Sequence, residues 1–201
     1  VLDVAEVVEL RYGDEHDHTG EDDGHDHGDV DPHVWLNPEN MSAMGEQIAT
    51  TLGEIDPANQ ATYQANAQTL ASEMDALDQD FQTGLSGCRT DTFVVNHAAF
   101  GYLADRYGLH QVGIQGLSTE AEPSPARIAE VQQIATEHDL TTIFYETAVS
   151  PKVAETIAAD LGLATDVLDP LETLSPDSRG ANYLEVMESN LAALAKANGC
   201  Q

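Results

Sequence analysis

Positive charge is nearly missing from this chain. Its 201 residues carry 36 acidic side chains against seven basic ones, a formal net charge of −29. Only Lys152 and Lys196 are lysines. Such a surface repels nucleic acid and anionic lipid and attracts cations. Most of the acids read as solubility in a high-salt medium. Long hydrophobic runs are missing too: no apolar stretch approaches the ~20 residues that cross a bilayer. Cysteine is limited to Cys88 and Cys200, which match no CxxC zinc pattern. There is no HExxH helix and no serine nucleophile elbow. The opening, VLDVAEVVELRYG, offers neither a start methionine nor a signal peptide. It reads like the middle of a domain, so a preceding N-terminal part is expected.

Histidine is present and unevenly spread. Five of the eight lie between Gly13 and Asn37, in GDEHDHTGEDDGHDHGDVDPHVWLN. His16, His18, His25 and His27 form two His-Asp-His triplets, and His33 follows in DPHVWLN. Salt tolerance does not explain them, because histidine adds nothing to it. A stretch this acidic and repetitive is expected to be disordered without a ligand.

Ordered structure is expected to resume at Asp31. Residues 1–12 read as the tail of a strand or helix. Asn37-Pro38 is a helix start, an N-cap with proline at the first helical position, for a helix to about Gly53. Asp56-Pro57 repeats the signal. Tyr63, Leu70, Met74, Leu77, Phe81 and Leu85 then form one apolar stripe along a single helix over 57–85, about 40 Å long at 1.5 Å per residue. That length suits a strut crossing a domain better than a coiled-coil dimer, whose stripe would be longer and less acidic at its flanks.

Beyond Cys88 the pattern alternates. Strands are predicted at 92–95, 111–114, 141–145 and 165–168. Helices are predicted over 98–108, 125–138, 151–162 and about 180–197. This alternation implies a parallel sheet covered on both faces. A Cys88–Cys200 disulfide would close this half and suit an oxidising compartment.

In open parallel sheets, ligands bind outside the carboxyl ends of the strands. His97, Glu146 and Asp169 each fall at or just after such an end. Alone, each is more simply a cap or a backbone-bonded side chain. Together they line one sheet edge, and His33 can close a cleft from the other side. Imidazole and carboxylate donors suit zinc, and also manganese or iron(II). His110 and His138 read as surface residues without a role.

Five stretches carry a resemblance: DPHVWLNPENMSAMGEQIA, VVNHAAFGYLADRYGL, GLSTEAEPSPARIAEV, YETAVSPKVAETIAADLG and VLDPLE. In this order they resemble the cluster A-I solute-binding proteins, the ZnuA/TroA-like receptors of metal ABC importers. The resemblance runs from about Asp31 to the end of the chain. The acidic His-rich stretch before DPHVWL also resembles the loop of the family's zinc-specific members. It implies a two-lobed α/β architecture with a rigid linking helix. On that plan residues 1–30 end the N-terminal lobe and hold the His-rich loop, and 31–56 complete the part of that lobe present here. Residues 57–87 are the linking helix, and 88–201 the C-terminal lobe.

The resemblance further implies that His33, His97 and Asp169 are metal ligands. Glu146 orients a ligand from behind or serves as an alternative one. Histidine at position 97 favours Zn(II) over Mn(II) or Fe(II). The family's further histidine, from the start of its N-terminal lobe, has no counterpart here. The implied function is an extracytoplasmic Zn(II) receptor, lipid-anchored or free, that delivers its metal to a membrane permease as a monomer and does no chemistry on it. His16, His18, His25 and His27 are then an accessory collector. Two rivals stand beside it. One is a manganese or iron(II) receptor. The other is a zinc-dependent hydrolase with Glu146 as its base, which would need an open coordination position.

Overall fold

A computed structural model describes residues 1–12, 30–117 and 122–201. The chain opens on a 3-10 turn, Val4–Val7, rather than a full helix or strand. Tyr12 and Val30 then form an antiparallel bridge, and Asp31 N–H donates to the Arg11 carbonyl at 2.9 Å. The two ends of the His-rich stretch are thereby fastened side by side. His16, His18, His25 and His27 lie outside the described residues.

Helix α1, Pro38–Ile55, starts where Asn37 accepts a hydrogen bond from Glu39 N–H. Helix α2, Gln60–Gly84, follows a short 3-10 turn at Pro57–Asn59, so the expected long helix is present. The pair folds back as an antiparallel hairpin. Gly45 faces Leu70 and Gly53 faces Gln60, and a β-carbon at Gly45 would come within 2.6 Å of the Leu70 side chain. Glycine at these two positions is what lets the helices approach. The C-terminal half of α2 buries Met74, Leu77 and Phe81 against the sheet. Its N-terminal half is mostly exposed.

The sheet has four parallel strands in the order β2-β1-β3-β4. These are β1 Thr92–His97, β2 His110–Gln115, β3 Thr142–Tyr145 and β4 Ala164–Val167. Strand β1 outruns its expected end by two residues, because pairing with β2 continues to His97 opposite Gln115. It is buried along its whole length. Phe93 and Val95 face one core with residues of α2, α3 (Gly101–Tyr107) and α6 (Tyr183–Asn198). Val94 faces the other, with α4 (Pro125–Glu137) and α5 (Lys152–Leu161). This is the alternation of a strand covered on both sides. Helix α6 begins at Tyr183, later than its pattern suggested. Asn182 accepts from Glu185 N–H, and the Glu185 carboxylate turns back to accept from Ala181 N–H. That reciprocal cap sets the boundary.

Cys88 and Cys200 are joined in a disulfide, tying the entry of β1 to the end of α6. Asp78 of α2 accepts bonds from the Arg106 guanidinium and Tyr107 hydroxyl of α3 and from the Gln82 amide. Arg106 also reaches Glu39 at 2.8 Å, so α1, α2 and α3 are clamped together. These partners hold the Asp78 carboxyl below its ordinary range, with Arg106 the largest cause.

Candidate metal centre

The chain leaves β1 toward β2 on one side and later places β3 on the other. The crevice at such a reversal, at the carboxyl ends of the strands, is where α/β sheets bind ligands. His97 ends β1 and Glu146 follows β3, so both flank that crevice. Both are buried. Glu146 Oε1 lies 2.7 Å from His97 Nδ1 and accepts from the Asn96 amide at 2.7 Å. Burial pushes the Glu146 carboxyl upward, but the His97 bond and charge and the Asn96 amide outweigh it, so its pKa is lowered. It stays a carboxylate.

His33 approaches from the other side, at the entry to a 3-10 turn, Val34–Leu36. Asp31, fully buried, accepts from His33 N–H at 3.0 Å and lies 2.7 Å from its Nδ1. Tyr102 donates to the Asp31 carbonyl. Burial disfavours the imidazolium of His33, yet the bonds and charges of Asp31 and Glu172 prevail and raise its pKa.

Each imidazole therefore has a carboxylate behind its Nδ1, which places the N–H there and turns Nε2 toward the crevice. The rings are 5.4 Å apart. Glu172 Oε1 lies 3.1 Å from His33 Nε2 and 3.6 Å from His97 Nε2. Around a tetrahedral zinc, with ~2.0–2.1 Å bonds, neighbouring donor atoms stand about 3.3 Å apart. The two distances straddle that value. One donor atom from each of His33, His97 and Glu172 lies within 4.8 Å of the others, the group of this kind found among the described residues.

Asp169 stands apart from that triplet. It is buried, its Oδ1 accepts from Leu171 N–H, and its Oδ2 has no hydrogen-bond partner. It borders a small cavity that Glu146 and Glu172 also line. Sequence reasoning passed over Glu172, although it closes the VLDPLE stretch. It passed over Asp31 as well, although it opens DPHVWLN. An acid two residues from a histidine, and another three residues past Asp169, were the available signals. His110 is exposed, and His138 Nδ1 lies 3.1 Å from the Thr92 hydroxyl, away from this centre.

The family described as "ZnuA: Zinc-uptake complex component A periplasmic" matches residues 1–197. The chain belongs to that family. It is 42% identical over 183 residues to the zinc-binding lipoprotein AdcA of Streptococcus pneumoniae serotype 4, covering 90% of this chain and 36% of that protein. It is 38% identical over 167 residues to the high-affinity zinc uptake system protein ZnuA of Bacillus subtilis, covering 82% and 52%. It thus spans about a third to a half of these curated relatives. Among solved structures, a mutant laminin-binding adhesin Lmb of Streptococcus agalactiae superposes with a TM-score of 0.86 at 32% identity, over 98% of this chain and 70% of that one. A Zn(II)-bound AdcAII variant of S. pneumoniae gives 0.83 at 36% identity, over the same shares. Like these neighbours, this ZnuA-family chain is mixed α/β around a parallel sheet.

Proposed function

We propose that this chain is the metal-binding part of an extracytoplasmic Zn(II) receptor that passes its cargo to the permease of an ABC importer. One observation carries the reading. Two buried histidines, each backed by a carboxylate, turn their free nitrogens toward a third carboxylate at zinc-compatible spacing. His33, His97 and Glu172 are the proposed ligands. Asp169, with its free buried oxygen, is available as a fourth or as an exchange partner. Asp31 and Glu146 hold the imidazoles. The relatives' names speak for zinc among the metals such donors accept, ahead of Mn(II) or Fe(II). A hydrolase reading gains nothing, since Glu146, its proposed base, is committed to His97 and Asn96.

On this reading residues 31–56 finish an N-terminal lobe, 57–87 link it, and 88–201 form the C-terminal lobe that supplies His97 and Glu172. The receptor acts as a monomer outside the cytoplasm, where a disulfide persists; the name of the pneumococcal relative suggests a lipid anchor. His16, His18, His25 and His27 are an accessory collector that binds zinc weakly. A competitive Zn(II) titration against a chromophoric chelator tests this. His97→Ala should abolish the tight site, and removal of residues 14–29 should remove only weak ones. Tight binding that survives His97→Ala and disappears with the loop would make the protein a histidine-tract zinc binder on an inert scaffold.

A further inference from the structure

Four consecutive residues after β4 are held one by one. Leu168 is buried, and its N–H donates to the Tyr145 carbonyl. Asp169 is gripped at both backbone groups by the Asn190 side chain of α6, at 2.9 and 2.8 Å. The Pro170 carbonyl accepts from Trp35 Nε1 at 2.8 Å. Leu171 N–H is taken by Asp169 Oδ1, and its side chain packs on the main core. Leu171 also has a φ of 59°, a left-handed conformation that a branched residue rarely adopts. That turn bends the chain back so that the next residue, Glu172, meets both imidazoles. Glu172 itself is unlike the four before it, with its side chain 47% exposed.

Trp35 is the long-range member of this set. It sits two residues from His33, with its ring edge-on to that imidazole at 5.5 Å. Its own carbonyl accepts from the Tyr183 hydroxyl of α6 at 2.7 Å. A residue two positions after one proposed ligand therefore also grips the turn carrying another. We propose that Trp35 is a positioning residue for metal binding: through Pro170 it holds the left-handed Leu171 turn that delivers Glu172 to His33 and His97. This rests on the zinc-site reading above.

The test is a double-mutant cycle on Zn(II) affinity, read by chelator competition in the intact chain. Trp35→Phe keeps an aromatic ring beside His33 and removes the Nε1 donor, together with part of the indole's packing volume. It should weaken binding roughly 3–10-fold, the worth of one hydrogen bond. Glu172→Gln should weaken it more. The double variant should bind no more weakly than Glu172→Gln alone, because Trp35 acts only through Glu172. Losses that simply add, or a neutral Trp35→Phe, overturn the inference. Thermal unfolding without zinc checks that Trp35→Phe is folded. If it is not, Tyr183→Phe, which frees the other side of Trp35, carries the same cycle with the same outcomes. His97→Ala separates the two levels. If it leaves tight binding intact, the zinc-site reading itself fails. If it abolishes binding while the cycle is additive, only the role of Trp35 fails.

Discussion

Glu146 meets His97 through a single oxygen that also receives the Asn96 amide. One buried carboxylate thus fixes both the tilt of the imidazole and which of its nitrogens carries the proton. Glu146→Gln replaces the acceptor with a neutral amide of the same size. The expected result is a ~10–100-fold loss of Zn(II) affinity, the usual effect of removing a carboxylate behind a metal-binding histidine. Binding stoichiometry should not change. Chelator competition measures both.

Asp78 gives the fold an acid-sensitive joint. Its folded pKa is depressed below the ordinary 3.8, chiefly by Arg106 and then by Tyr107 and Gln82. Such a carboxylate stabilises the fold fully above its unfolded pKa, and that contribution is lost as pH falls through the depressed value. Urea denaturation should therefore show the wild type and Asp78→Asn diverging above about pH 4, by ~2 kcal/mol for a hydrogen-bonded charge, and converging in stronger acid.

The Cys88–Cys200 link spans 112 positions, most of the sheet-bearing half. Replacing both cysteines by serine should lower stability by about 2–5 kcal/mol, seen as a fall in Tm. The proposed zinc site should keep its affinity below the new transition, since neither cysteine belongs to it.

Gly45 tests the helix hairpin. Gly45→Val puts a branched side chain where the Leu70 side chain lies, and should cost about 1–3 kcal/mol by overpacking. Thermal unfolding would show it. Paired with Leu70→Ala, which vacates the space, the loss should be partly recovered.

The sheet and most helices were legible in the sequence because each is a short periodic unit bounded by its own cap. Asn37-Pro38 and Ser124-Pro125 marked helix starts that the fold keeps, the latter with the Ser124 hydroxyl accepting from Arg127 N–H. His33, His97 and Glu146 stood out by residue type at element ends. Asp31 and Glu172 did not. Their roles depend on backbone events that composition does not encode: the left-handed turn at Leu171 and the hydrogen bond that seats Asp31 under His33. In a chain with 36 acids, one more carboxylate carries no signal until its neighbours are known. The two residues by which β1 outruns its expected end had a similar origin, since only the partner strand shows how far pairing runs.

The bridge between Tyr12 and Val30 brings together the two points at which the His-rich stretch leaves and rejoins the fold. Asp31, and through it His33, takes its bearings from Arg11 and Tyr102. Doubling the length of a closed loop costs only about 0.6 kcal/mol. A change in the number of residues between these two points therefore carries only a small entropic charge against the fold. On the proposed reading, how avidly the protein gathers metal becomes a quantity separable from how it grips it.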